Sequence, residues 1–229
     1  MGFSIGSAVD FGWETFKKRP WFFVGSSLVI LLLNIAAGAV TSIIDAGLTG
    51  SVDKSTPISS VAEFVLGTFI NMGITAFYLN AYDNPDTVSL ASLWHPQPFW
   101  KFLAASLLLG LAIVIGFLLL IVPGVIFTLM FMFATFIVID RELGPIEAMK
   151  ESKRLAHGHK WALLGFVLVL ALINLLGVLA LGVGLLVSIP VSSLAFVHAY
   201  RVLGGRAVPD AAIVTPGARE DAEGGPPMR

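Results

Sequence analysis

Glu63 is the one acidic side chain inside the long apolar stretches of this chain. Hydrocarbon tolerates an ionisable group only where it is paired or has work to do, so Glu63 is a candidate functional carboxyl. Ser60-Val61-Ala62-Glu63 also spells a capping box, in which the carboxyl bonds back to the first turn of its own helix; that reading is favoured. Thr68, Asn71 and Thr75 follow at helical spacing and form one polar stripe, the best candidate lining if a cavity exists. Asn34, Asn71 and Asn174 fall at similar depth in three apolar stretches. Amides so placed commonly bond across helices at about 0.6–2 kcal/mol each, so structural bonding is favoured over contact with a substrate.

Other chemistry is poorly supported. His157 and His159 stand two apart on a helix that is ending, so their side chains diverge and make a poor metal pair. Gly25-Ser26-Ser27 resembles a nucleophile segment but has no His or Lys base at comparable depth. There is no HExxH, GxSxG, phosphate-binding loop or dinucleotide fingerprint. With no cysteine, disulfides and zinc–thiolate sites are excluded. The expectation is no catalytic residue, no metal, no cofactor and no nucleic-acid partner.

The elements that position these residues follow from composition. Of 229 residues, 56% are hydrophobic and 13% charged, with a mean hydropathy of +0.88. A soluble domain carries about 25% charged residues. The chain therefore reads as an all-α integral membrane protein, one domain over 1–203, with a polar, Gly- and Pro-rich tail at 204–229 expected to be disordered. Six transmembrane helices are expected over 21–44, 61–81, 102–121, 124–139, 161–181 and 184–203, each near the roughly 20 residues a bilayer requires. The third and fourth spans form one doubled run that must fold back, at Pro123-Gly124; the fifth and sixth fold back at Gly182-Val183-Gly184. The run after Lys17, Lys18 and Arg19 exceeds the 7–15 residues of a signal-peptide core, so it reads as a retained helix. With six spans, thirteen Lys and Arg residues share one side and Lys54 alone takes the other. That bias puts both termini in the cytoplasm, with the protein in the inner or plasma membrane.

An amphipathic segment precedes each pair of spans, at about 4–18, 87–95 and 145–157, and Trp21, Trp100 and Trp161 follow them. The architecture reads as three parallel repeats of a cytoplasmic interfacial helix plus a helical hairpin. In the third segment Gly144 and Pro145 suit the start of a helix, and Ile146, Met149, Ser152 and Ala156, joined by Ala148 and Leu155, make its apolar stripe. Lys150, Lys153 and Arg154 are the candidate contacts for anionic lipid headgroups.

Val122–Trp161 carries a resemblance. Pro123, Gly124, Glu142, Gly144, Glu147, Ala148, Ser152, Leu155, Gly158 and Trp161 resemble a bacterial family of six-helix membrane proteins. That family is named for the membrane domain fused to some glycerophosphodiester phosphodiesterases. The resemblance covers about 100–204 and implies the six-helix fold; it transfers no catalytic residue, because the phosphodiesterase reaction belongs to a separate barrel. Two functions remain open. One is a non-enzymatic membrane protein acting through the bilayer, anionic lipids or protein partners, a second copy of itself included, in envelope maintenance. The other is a transporter or permeation pathway for a small or amphiphilic substrate, which would require a solvent-reachable cavity between helices.

Overall fold

The computed structural model of the chain describes residues 3–51, 55–94, 98–180 and 182–205. Its elements are all helical: α1 (Ile5–Lys18), α2 (Pro20–Thr49), α3 (Pro57–Asp83), a 3-10 turn (Leu90–Leu93), α4 (Phe99–Leu119), α5 (Ile121–Phe131), α6 (Ala134–Arg141), α7 (Pro145–Ala156), α8 (Lys160–Leu179) and α9 (Leu185–Leu203). With α5 and α6 counted as one element, six helices are long and apolar enough to cross a membrane. α9 is the central one: 61% of its apolar window is buried, against 11% for the peripheral α2. It packs against α1, α2, α3, α7 and α8. Phe23, Phe77, Phe133, Phe166, Leu194 and Val197 fill the core, while Leu32, Ile35, Leu118, Ile121 and Leu172 stand exposed on the outside. A continuous apolar exterior of this kind suits lipid rather than water.

Both hairpins turn, but only one where expected. α8 and α9 are joined through Gly182, whose φ of 75° lies in the left-handed region that glycine favours. The other turn is at Leu120, which is extended (φ −171°, ψ 161°), and not at Pro123-Gly124. Pro123 sits in the first turn of α5, where a missing N–H breaks no intrahelical bond. Gly124 serves contact instead: a Cβ there would stand 2.5 Å from the Phe117 ring, so α4 and α5 close at that point because the side chain is absent. The fourth apolar run is also interrupted at Met132 and Phe133, between α5 and α6.

The amphipathic segments differ from one another. α1 and α7 are helices of 14 and 12 residues, but the described residues of the second segment, 87–94, hold only the four-residue 3-10 turn. Prolines at 96 and 98 follow it, and Trp94 is already extended, as residues nearing a proline tend to be. The second of the three expected units therefore lacks its helix. α1 buries Ala8, Phe11, Gly12, Thr15 and Phe16 and leaves Trp13 exposed. α7 buries Ala148, Ser152, Leu155 and Ala156 against its neighbours, while Ile146 is exposed and Met149 half-buried. Residues 206–229 of the expected tail lie outside the described residues.

Candidate functional site

One face of α3 opens on a cleft of about 610 Å³. Glu63, Gly67, Asn71, Ile74 and Tyr78 recur every three or four residues along that face. Phe102 and Ser106 of α4, Thr135 and Phe136 of α6, Leu170 and Asn174 of α8, and Ser192, Ser193 and Phe196 of α9 complete the wall. Small-molecule pockets run from about 300 to 1,000 Å³, so the volume suits a ligand. From Glu63 to Tyr78 the cleft follows α3 for about 22 Å at 1.5 Å per residue, well over half of a bilayer's hydrocarbon thickness.

The sequence-predicted residues fall unequally around it. Glu63, Thr68, Asn71, Thr75 and Asn174 all line the cleft. Asn34 does not: it is exposed on α2 and bonds only the Ile30 carbonyl of its own helix, at 2.8 Å. Asn71 likewise donates to Gly67 O at 2.8 Å, within α3. Thr68 and Thr75 donate back to Phe64 O at 2.7 Å and Asn71 O at 2.8 Å. Asn174 alone of the three amides bonds across helices. It donates to Ser192 Oγ at 3.0 Å and accepts from Ser188 Oγ at 2.9 Å, which ties α8 to α9.

Glu63 is not a capping residue. α3 begins at Pro57, and Thr56 and Ser59 form its capping box, with Ser59 N donating to Thr56 Oγ1 at 3.2 Å and Thr56 N to Ser59 Oγ at 3.0 Å. Asp45, at the end of α2, adds its carboxylate at 2.8 Å from Thr56 N. A carboxylate is favoured there by the positive end of the α3 dipole. The Glu63 carboxyl is left exposed at the cleft, with no hydrogen bond or ion pair among the described residues. Deeper in, the Tyr78 hydroxyl is buried beside the hydroxyls of Ser27 from α2 and Ser193 from α9.

At its inner end the cleft meets stacked aromatic rings: Phe136 lies 5.3 Å from Phe196 and 6.0 Å from Tyr200. Beyond them Tyr200 donates to Asp140 Oδ2 at 2.6 Å. Arg201 bridges Asp140 Oδ1 at 2.8 Å and Asp83 Oδ2 at 2.5 Å, joining α3, α6 and α9. A second, polar cavity of about 350 Å³ lies against this trio, lined also by Asn80, Asn84 and Ser92. Sequence reading counted Arg201 only towards the charge bias. The aspartates sit 57 residues apart and meet only in three dimensions.

On α7, Glu151 binds Arg141 at 2.6 Å and Arg154 through two bonds of 2.7 and 2.6 Å. The Arg154 hydrogen bonds, aided by Arg141, pull its carboxyl down to about 2. Of the candidate headgroup contacts, Arg154 is therefore engaged. Lys150 and Lys153 are exposed beside an apolar groove of about 420 Å³ that includes Leu108, Leu111, Ile146 and Met149. His157 and His159 are exposed, and no group of three metal-binding side chains occurs among the described residues. His198 is buried and stacks on Phe11 at 4.5 Å.

The chain belongs to the family defined by the domain of unknown function DUF7847, whose model matches residues 87–217. It is similar to the uncharacterised proteins Rv2560 of Mycobacterium tuberculosis and Mb2590 of Mycobacterium bovis. Each is 28% identical over 234 residues, covering 92% of this chain and 71% of the relative. No solved structure matches the chain.

Proposed function

We propose that this DUF7847 chain is a multi-pass membrane protein that takes an amphiphilic molecule into the cleft between α3 and α9 and carries it across the bilayer. The cleft supports this reading: its wall combines polar groups, Thr68, Asn71 and Thr75 among them, with aromatic and aliphatic surface from Phe102, Leu170 and Phe196. A polar–apolar seam about 22 Å long suits a molecule with a head and a tail. The stacked rings and the Asp83–Arg201–Asp140 trio close the inner end, as a pathway that never opens to both sides at once requires. In this proposal the end rich in Lys and Arg faces the cytoplasm and the Glu63 mouth faces outward. α1 and α7 lie at the inner interface, and the resemblance to the phosphodiesterase-linked membrane domain reflects a shared six-helix core. Proteoliposomes test the reading. A fluorescent amphiphile should change leaflets faster with protein than without, and Asn71→Trp, which fills the cleft from an exposed position, should remove the gain. Exchange no faster than in empty vesicles would sink it.

A second reading, action through the lipid surface, is favoured by one feature. Lys150 and Lys153 flank the apolar groove on α7, placing positive charge beside acyl-sized space. Each basic residue at an anionic leaflet contributes about 1 kcal/mol.

A further inference from the structure

The charges around the cleft bear on which amphiphile it takes. Among the described residues Glu63 is the one ionised type of side chain in the cleft wall, and no Lys, Arg or His lines it. The carboxyl stands two turns into α3, with capping left to Thr56 and Ser59, and without a partner. A carboxylate at the mouth of a mainly apolar cleft attracts a counter-charge that enters it, because the apolar wall screens the charge less than water does. Phe64 and Tyr78 stand in the same wall, and aromatic rings attract cations, quaternary ammonium above all. An anionic headgroup would find hydroxyl donors in the wall but no cation, and it would be repelled by the Glu63 carboxylate. We infer that the cleft selects amphiphiles with a cationic headgroup, an amine or quaternary ammonium, and that Glu63 is the counter-charge that determines this specificity. The inference rests on the cleft being an amphiphile site.

Equilibrium binding to the full chain in nanodiscs tests it, with dodecyltrimethylammonium, dodecyl maltoside and dodecyl sulfate as probes of equal tail. A two-tailed trimethylammonium lipid forms a fourth arm. The cationic probe should bind about tenfold more tightly than the other two single-tailed probes, and Glu63→Gln should remove that advantage while leaving the maltoside unchanged. Glu63→Lys should reverse the order in favour of sulfate, an outcome that misfolding does not produce. Glu14→Gln, on the exposed face of α1, should change nothing. Glu63-dependent binding of either cationic probe upholds the inference, and which one binds tells whether the ligand comes from water or from the lipid phase. If all three single-tailed probes bind alike, lose affinity together in Asn71→Trp and ignore Glu63→Gln, the inference fails and the cleft remains an amphiphile site. If Asn71→Trp affects none of them, the cleft reading itself fails.

Discussion

The hydroxyl of Ser152 accepts a hydrogen bond from the backbone N–H of Phe133 at 3.1 Å, and its own proton goes to the Met130 carbonyl at 2.9 Å. Met130 and Phe133 flank the break between α5 and α6, where the helical ladder is interrupted. Ser152 is fully buried on α7 and so completes, from another helix, a backbone that its own segment leaves open. Ser152→Ala would leave both groups unsatisfied. The expected loss is about 2–3 kcal/mol, measured as a lower melting temperature in detergent. A parent-like melt would mean the break is satisfied some other way.

Arg201 is held between Asp83 and Asp140, with only 8% of its side chain exposed. Arg201→Met should remove the guanidinium that joins Asp83 to Asp140, leaving the buried Asp140 carboxylate with Tyr200 and Arg141 only, and cost about 3 kcal/mol. Adding Asp140→Asn should recover part of that loss, since the uncompensated charge is then gone. Melting of the single and double variants checks this; additive losses would show that the two residues do not couple.

Much of this was legible in the sequence, and what was not shares a cause. Hydropathy runs placed the six long helices, and Gly182 marked its turn because a positive φ favours its residue type. The turn at Leu120 carries no such mark: an ordinary leucine turns the chain while Pro123-Gly124, the stronger local signal, serves the next helix. The break at Phe133 was equally silent, since the group that makes it tolerable lies 19 residues on. In the cleft, the α3 stripe of Thr68, Asn71 and Thr75 was visible from spacing. Ser106, Thr135 and Ser193 are single polar residues in apolar runs, and only the fold brings them to the same wall. Glu63 was misjudged because Ser60 matched a capping pattern one turn after the helix had begun.

Orientation can be read with single cysteines, as the native chain has none. Ser55 and Lys153 are exposed at opposite ends of the bundle, whereas Ser152 is buried and unsuitable. On intact cells a membrane-impermeant thiol reagent should label Ser55→Cys and spare Lys153→Cys. The reverse pattern would invert the proposed topology.

Acid should dissolve the α7 ion-pair cluster. The Glu151 carboxyl is depressed from 4.5 to about 2, so its contribution is complete above the unfolded value. It is lost as pH falls through the folded value. Glu151→Gln should melt about 2–4 °C below the parent at pH 7. The gap should narrow below pH 4.5 and close near pH 2. A gap constant across that window would place the effect elsewhere than in the charge.

Photolabelling tests the central claim most directly. The chain is reconstituted with an amphiphile bearing a diazirine in its tail, illuminated, digested and mapped by mass spectrometry. Adducts are predicted on the cleft wall, at Tyr78, Phe102, Leu170 and Phe196, and these should disappear in Asn71→Trp while labelling of the outward-facing Leu32, Leu118 and Leu172 persists. Labelling confined to those outer residues, and unchanged by Asn71→Trp, would contradict the account.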